Sequence, residues 1–223
     1  MITGVKITLL IAVVTSILSL LLGTVVAVMR NSRVKPLRVV GNLYVEIFRN
    51  IPGLLWLLFF YFMFPEILPF ALGDRLNAYI YYPIVASIIA LTLDNTSYVS
   101  DILRSGLRGI PPGQREAAIS TGLNRVQQYQ YVLLPQTFRK ILPPLGTRMI
   151  HNFKNSSLCM AITAPELTWA TQQIESLTFR GLEATTIATL FYVFVALSMG
   201  GIIILLEKHY KIDISSITHM ETN

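Results

Sequence analysis

Residues 7–29 read ITLLIAVVTSILSLLLGTVVAVM, an apolar stretch interrupted only by small and hydroxyl residues and free of charge. About 20 apolar residues in a helix are enough to cross a lipid bilayer. A cleavable signal peptide is the alternative interpretation, but the stretch is too long for one and a basic cluster follows it at Arg30, Arg33, Lys35 and Arg38. We therefore expect a retained transmembrane helix with its N-terminus outside the cell.

The composition extends this interpretation to the whole chain. Of its 223 residues 53% are hydrophobic and only 13% are charged, whereas a soluble domain carries about a quarter charged residues. The net charge of +6 could indicate nucleic-acid binding, but the basic residues lie in short segments between long apolar runs rather than on one polar face. A single cysteine, Cys159, excludes an internal disulfide. Residues 1–223 are predicted to form a single membrane domain.

Four further apolar stretches raise the predicted number of transmembrane helices to five. They cover residues 52–72, 83–103, 140–164 and 185–206. Pro65 and Pro69 predict that the outer end of the second helix is broken. The fourth stretch is the weakest candidate because it contains Arg148, His151 and Lys154. The predicted fold class is an all-α, polytopic membrane protein.

Lysine and arginine concentrate in alternate connecting segments. Segments 30–50 and 104–140 and the C-terminal tail together hold thirteen of these residues, whereas segments 64–82 and 165–184 hold two. Basic residues are enriched in the cytoplasmic loops of membrane proteins. This distribution predicts an N-terminus outside the cell and a cytoplasmic C-terminal tail that includes Lys208 and Lys211.

The segment between the third and fourth predicted helices, residues 105–136, reads SGLRGIPPGQREAAISTGLNRVQQYQYVLLPQ. Its local chemistry predicts a helix–turn–helix on the membrane surface. Residues 114–121 have good helix propensity, and Gly122 is suited to end that helix in the left-handed conformation. Asn124 is suited to cap a second helix, which Pro135 is expected to stop.

Seven small, acidic and apolar residues stand at fixed spacing in this segment: Glu116, Ala117, Ala118, Gly122, Val132, Leu134 and Pro135. The set resembles the EAA loop of the permease subunits of ATP-binding-cassette (ABC) importers, and it matches that pattern except for Val in place of Ile at residue 132. The resemblance implies that this segment is a coupling helix, which docks into a groove on a separate ATP-binding subunit. An ordinary amphipathic surface helix is the alternative.

The residue types suit such a coupling role. Ala117 and Ala118 allow a partner surface to approach closely, and Glu116 near the helix start is favourable with the helix dipole. No Gly-x-x-x-x-Gly-Lys-Ser/Thr phosphate loop occurs in the sequence. The chain is therefore expected to carry no cofactor, with ATP and magnesium bound by the partner ATPase, and to be a transport subunit rather than an enzyme.

The similarity extends beyond the loop to the polar-amino-acid permeases of the histidine, glutamine and glutamate class. The similar stretches are residues 44–52, 98–106, 110–114, 142–146, 153–158 and 164–167. This resemblance implies the ABC transmembrane type-1 fold in the bacterial inner membrane. It also implies a second permease subunit, identical or homologous, together with two ATP-binding subunits and an external solute-binding protein. Membrane lipid and the amino acid are the remaining expected partners, and no nucleic acid is expected.

Polar residues at membrane depth suggest a substrate path, because charges there are costly and usually face a cavity or the interior of a bundle. The candidates are Asp94, Asn95, Ser97, Asp101, Lys154, Asn155 and Ser156. Of these, Asp94, Ser97 and Asp101 share one helical face. The alternative is that Asp94 or Asp101 pairs with Arg148 or Lys154 only to hold helices together. No catalytic residue and no metal ligand set is predicted.

The residue that follows Lys154 bears on the choice of substrate. In the resembled family the next four residues often read Asp-Thr-Ser-Leu, whereas residues 155–158 read Asn-Ser-Ser-Leu. An amide in place of a carboxylate removes a counter-charge that a cationic amino acid would favour. We therefore expect glutamate, aspartate or glutamine, with Lys154 as a carboxylate partner. The alternatives are a basic amino acid such as histidine or arginine, and a lysine that only snorkels.

Alternating access between the two membrane faces is the expected mechanism of transport. A secondary transporter driven by an ion gradient would need more helices or an inverted repeat, and neither is visible in the sequence. A structural subunit of some other membrane complex would explain the hydrophobicity but not the loop pattern.

Overall fold

The structure, a computed structural model, describes residues 1–210, and within them it is helical with short connections. Eleven α-helices follow in chain order: α1 (Ile2–Asn31), α2 (Lys35–Asn50), α3 (Gly53–Leu58), α4 (Phe64–Ile67), α5 (Phe70–Asn77), α6 (Tyr82–Arg108), α7 (Pro112–Ser120), α8 (Arg125–Gln127), α9 (Leu134–Asn155), α10 (Leu167–Thr178) and α11 (Gly181–His209). Two π-helical segments, Phe59–Met63 and Gln128–Leu133, and a 3₁₀-helix, Ser156–Ile162, connect neighbouring helices. The all-α prediction is confirmed.

Helices α1 and α6 form the centre of the bundle, because α1 carries a face of small residues. Thr8, Thr15 and Ser19 on this face are fully buried. A Cβ atom on Gly23 of α1 would overlap the Val99 side chain of α6. Small side chains let two helix backbones approach closely where lipid offers no hydrophobic driving force. Helix α9 packs on α6 beside this pair, and α11 packs on α9.

Two helices, α1 and α11, are long and apolar enough to cross a membrane within the described part of the chain. The number rises to four if each of two bent pairs counts as one span: Lys35–Asn50 with Gly53–Ile67, bent by 101°, and Phe70–Asn77 with Tyr82–Arg108, bent by 105°. The predicted stretches 7–29 and 185–206 lie inside α1 and α11. The total of five spans and the outside N-terminus stay predictions, and Lys211 lies outside the described residues.

The second and fourth predicted stretches are interrupted where the sequence is polar or rich in proline. In 52–72, helix α4 ends at Ile67, and Leu68 is extended before Pro69 begins the next helix. This is the break that Pro65 and Pro69 predict. In 140–164, α9 ends at Asn155 and gives way to the 3₁₀-helix. The hydroxyl of Ser156 donates to the Phe153 carbonyl at 2.6 Å, a side-chain bond that competes with the regular helical ladder.

The loop between α6 and α9 adopts most of the predicted local structure. Helix α7 ends at Ser120, and Gly122 has φ +77°, in the left-handed region as expected. Asn124 caps α8 through a capping box: its side chain accepts from the backbone of Gln127 at 3.0 Å, and the Gln127 side chain accepts from the backbone of Asn124. Both local predictions are confirmed.

The expectation that Pro135 stops the second loop helix is wrong. The chain continues from α8 through the π-helical segment Gln128–Leu133 into α9, and Pro135 lies in the first turn of α9. Proline interrupts the regular i→i−4 hydrogen-bond ladder inside a helix, and here it closely follows the π-helical segment, where that ladder is already irregular. Residues 125–155 are therefore continuously helical, so the loop and α9 form one connected rod.

Candidate functional site

Helix α7, within the loop segment, is tied to the bundle at both of its ends. The Lys140 ammonium donates to the Gly109 carbonyl just before α7. The Gln136 amide donates to the Gln114 side chain at 3.0 Å. Beyond α7, the side chain of Gln128 donates to the Leu123 carbonyl at 2.7 Å. These bonds attach α7 to the continuous helix that follows it.

The predicted coupling residues occupy different faces of the loop. Ala118 is 4% exposed and packs toward the bundle, whereas Ala117 and Glu116 are exposed. Leu134 and Pro135 are also exposed, at the start of α9. The loop therefore presents Ala117 on an accessible surface and uses Ala118 to hold the helix in place.

Glu116 does not lie in the first turn of α7, contrary to the expected interaction with the helix dipole. The helix begins at Pro112, two residues before the predicted start at Gln114, because Pro111 and Pro112 have the fixed φ that a helix start requires. Glu116 therefore falls in the second turn, where the effect of the dipole has largely decayed. Its carboxylate remains available to a partner.

A buried polar cluster joins α1, α6 and α9 in the middle of the bundle. Arg148 of α9 donates to Asp94 of α6 at 2.9 Å and also to the side chain of Asn95. The Asn95 amide in turn donates to Ser19 of α1 at 2.6 Å. Asp94 and Asn95 are 5% and 0% exposed, so an unpaired charge here would be costly. The cluster fixes the positions of three helices relative to one another.

A second cluster surrounds Asp101, about two helical turns from Asp94 toward the loop. Its carboxylate accepts from Arg30 of α1 at 2.5 Å and also from Arg49 of α2. The Tyr98 ring lies between the two clusters, with the Arg148 guanidinium 3.7 Å and the Arg49 guanidinium 5.4 Å from its centroid. Cations over an aromatic face are held by the ring quadrupole.

A cavity of about 420 Å³ opens beside Tyr98. The polar groups that line it are Arg49, Tyr98, Asp101, Thr147, Arg148 and His151. Because the cavity presents guanidinium groups and a carboxylate together, it can offer charge partners to both ends of a small zwitterion. The predicted pathway residue Asp101 lines this cavity. Arg148, the ion-pair partner of Asp94, lines it as well.

The other predicted pathway residues lie elsewhere. Ser97 is buried and donates to the Asp94 carbonyl at 2.6 Å. Lys154 is exposed and lines a separate recess of about 320 Å³ with Ser157 and Tyr192. Asn155 is half-buried and Ser156 is buried. The structure therefore does not bring Lys154, Asn155 and Ser156 to the cavity beside Tyr98.

Of the ion pairs that the helix-holding alternative names, the structure contains the one between Asp94 and Arg148. Asp101 takes its partners from α1 and α2 instead of α9. Lys154 forms no salt bridge with any described residue. Asp101 is instead met by Arg30, near the end of α1, and by Arg49, near the end of α2.

Sequence reasoning missed Glu166, which is fully buried at the start of α10. Its carboxylate accepts from the backbone of Trp169 at 2.7 Å and of Thr168 at 2.9 Å, and from the Tyr192 hydroxyl at 3.0 Å. An acidic residue just before an apolar helix is a recognised capping signal. Arg30, Arg49 and Tyr98 were also missed as site residues, because only packing of separate helices brings them together. Among the described residues no group of His, Cys, Asp and Glu could hold a metal ion.

Comparison with known proteins gives a family match over most of the chain. The sequence model of the family described as "binding-protein-dependent transport system inner membrane component" matches residues 19–212. The probable glutamine ABC transporter permease protein GlnM of Bacillus subtilis (strain 168) is 33% identical over 204 residues, 92% of this chain and 90% of that protein. The arginine transport system permease protein ArtQ of the same organism is 31% identical over 208 residues, 93% and 91% of the two chains.

A solved structure has the same fold. It is described as the crystal structure of an amino acid ABC transporter with histidines, and it superposes with a TM-score of 0.82 at 29% sequence identity. The match covers 93% of this chain and 92% of that one.

Proposed function

Since the chain belongs to the family of binding-protein-dependent transport system inner membrane components, we propose that it is the permease subunit of an ABC importer that carries a polar amino acid across the bacterial inner membrane. A separate ATPase subunit powers transport, and an external binding protein supplies the substrate. The chain itself performs no covalent chemistry, and ATP and magnesium are bound by the ATPase.

The observation that supports this proposal most is the connection between α7 and the bundle. Helix α7 presents Ala117 on an exposed surface, where a partner can approach its backbone closely. The same helix is hydrogen-bonded to a rod that runs without interruption from residue 125 to residue 155. Arg148 projects from this rod, pairs with Asp94 and lies over the Tyr98 ring. A movement of α7 by the ATPase therefore reaches the cavity beside Tyr98.

We propose that transport proceeds by alternating access. Closure of two ATPase subunits displaces α7 in each of two permease subunits. The rod then tilts, and the contact of Arg148 with Tyr98 changes with it. The cavity is exposed to one membrane face before the movement and to the other after it. Whether the two permease subunits are identical or homologous is left open by this mechanism, which requires only one coupling helix in each.

The charged groups of the cavity suit a free amino acid, which carries an α-carboxylate and an α-ammonium group. Arg49 is 46% exposed at its side chain and can meet a carboxylate, while Asp101 is 29% exposed and can meet an ammonium group. For the substrate side chain we favour glutamine, glutamate or aspartate, because residue 155 is an amide where a cationic substrate would favour a carboxylate. Lys154 is exposed and free to pair with a carboxylate at an earlier stage of passage.

A permease for a basic amino acid, histidine or arginine, is the second candidate, and the 31% identity to ArtQ favours it. Competition assays separate the two. The permease is co-expressed with its ATPase, reconstituted into vesicles with ATP inside, and supplied with labelled glutamine and its binding protein. Excess unlabelled glutamate, aspartate or glutamine is expected to reduce uptake, and stronger inhibition by histidine or arginine would favour the second candidate. If no ATPase co-purifies, the chain is a structural subunit of another membrane complex.

A further inference from the structure

A cavity of about 500 Å³ lies between the last turn of α6 and helix α7. Three charged side chains line it: Arg108, Arg115 and Glu116. Neither arginine forms a salt bridge or a side-chain hydrogen bond with another described residue. Two guanidinium groups against one carboxylate give the cavity a net positive charge, so it suits an anionic ligand.

A second cavity of about 580 Å³ adjoins the first, and its lining is predominantly apolar. Leu103 of α6 forms its floor, with Val28 of α1 and Phe138 of α9 on its two sides. Val28 is 66% and Phe138 44% exposed. The cavity is therefore open at the side of the bundle, on the surface of α1, the most apolar part of the chain.

The two cavities lie side by side, because Asn31, Leu107 and Tyr129 line both of them. Together they form one groove with a cationic end beside α7 and an apolar end beside α1. A ligand that fills both ends must carry a negative charge at one end and a long apolar chain at the other. We infer that the groove binds an anionic phospholipid, with its phosphate at Arg108 and Arg115 and an acyl chain against Leu103 and Phe138.

Charge and shape distinguish this occupant from others. A soluble phosphate would use only the cationic end and leave the apolar cavity open. A zwitterionic phospholipid carries no net charge to complement the two arginines. A protein segment of the ATPase is expected on the opposite face of α7, where Ala117 is exposed. Bound lipid would brace α7 against α6 and α1 and so tune the coupling between the ATPase and the bundle.

The test uses the permease–ATPase complex and a phosphatidylglycerol probe with a photoreactive group on one acyl chain. After illumination, labelled peptides are identified by mass spectrometry. Labelling is expected in residues 24–32 and 134–141, competed by unlabelled phosphatidylglycerol but not by phosphatidylethanolamine or by glycerol phosphate. Each of the substitutions Arg108→Gln and Arg115→Gln is expected to reduce labelling about fivefold, the effect of one basic residue at an anionic lipid surface. The exposed Arg139, which lines neither cavity, provides the control Arg139→Gln, with labelling unchanged.

A second variant keeps the test decisive if the arginine variants do not assemble with the ATPase. Thr24 is exposed on α1 and lines the apolar cavity, so Thr24→Trp is expected to fill it and abolish labelling. Val25→Trp, at the neighbouring exposed position outside the groove, is the matched control. Equal competition by phosphatidylethanolamine, competition by glycerol phosphate, or labelling that persists in Thr24→Trp would overturn the proposal. So would the absence of labelling in the complex, which would indicate that protein covers the groove.

Discussion

The Arg148 guanidinium lies 3.7 Å from the centroid of the Tyr98 ring, while the same side chain donates to Asp94 at 2.9 Å. Arg148 belongs to α9, which is continuous with the loop, and Tyr98 belongs to α6 at the centre of the bundle. This one side chain therefore connects the helix that continues the loop to the cavity beside Tyr98. The charge pair is buried, so we expect the fold to depend on it.

Replacing Arg148 with glutamine is expected to destabilise the permease strongly. The substitution leaves the Asp94 carboxylate, 5% exposed, without its cationic partner. Breaking a buried ion pair in this way costs about 3–5 kcal/mol. The double variant Asp94→Asn with Arg148→Gln removes both charges and should recover much of that loss. Thermal unfolding of the detergent-purified protein measures each variant. Equal destabilisation by the single and the double substitution would show that the charge pairing is not the cause.

Gly122→Ala is expected to weaken the association of the permease with its ATPase about fivefold. The residue has φ +77°, and a Cβ atom in that conformation costs about 1 kcal/mol. The strain shifts the turn that positions α7. Gly200 is a helical glycine that, like Gly122, has no heavy atom within 4 Å of a built Cβ, so Gly200→Ala is the control. Co-purification with the ATPase measures the effect, and equal behaviour of the two variants would argue against a strained turn.

Gly23→Val is expected to separate α1 from α6 and to destabilise the bundle by about 1–3 kcal/mol. The added side chain would overlap Val99 of α6, whereas the same substitution at Gly201 meets no atom within 4 Å. The midpoint of thermal unfolding should fall for Gly23→Val and stay nearly unchanged for Gly201→Val. A similar midpoint for both variants would mean that the close approach of α1 and α6 does not stabilise the fold.

Arg49→Gln is expected to raise the KM for uptake about tenfold. This is the effect expected when one hydrogen bond to the charged substrate carboxylate is lost. Arg49 lines the cavity beside Tyr98, and its side chain is 46% exposed. An exposed ion pair contributes little to stability, so the unfolding midpoint should hardly change. Arg38→Gln, on the same helix but outside the cavity, should leave KM unchanged. An unaltered KM in Arg49→Gln would place the substrate carboxylate elsewhere.

The turn and the helix cap of the loop could be predicted because they depend on neighbouring residues. The contacts between helices could not, because they depend on long-range packing. Gly122 and Asn124 act on neighbours within a few residues, so their conformations follow from the sequence alone. The expectation for Pro135 was wrong because proline usually marks the boundary of a helix, and the π-helical segment through which the helix continues here has no clear sequence signal. Arg30 and Asp101 are 71 positions apart. Only the packing of α1 against α6 makes them partners.

The candidate pathway, too, could be predicted only in part from the sequence. Polarity at membrane depth singled out Asp94 and Asp101 as candidates for the pathway, and both have arginine partners in the structure, but polarity did not determine which arginine meets which carboxylate. Lys154 stands on the same helix as Arg148, yet it is exposed on another side of α9. The spacing along a helix tells on which side of that helix a residue lies. Which other helix packs against that side depends on how the helices cross.

The central claim is that an ATPase acting on α7 drives amino-acid uptake through this chain. ATP-dependent uptake of labelled glutamine into vesicles tests it, using the permease–ATPase complex with its binding protein and the variant Ala117→Cys. Cys159 is fully buried, so in this chain, labelled before the ATPase is added, a bulky maleimide reacts only at residue 117. We predict ATP-dependent uptake that is abolished after labelling of Ala117→Cys and retained after labelling of the exposed control Arg139→Cys. Uptake that does not require ATP, or that survives labelling at residue 117, would contradict the account.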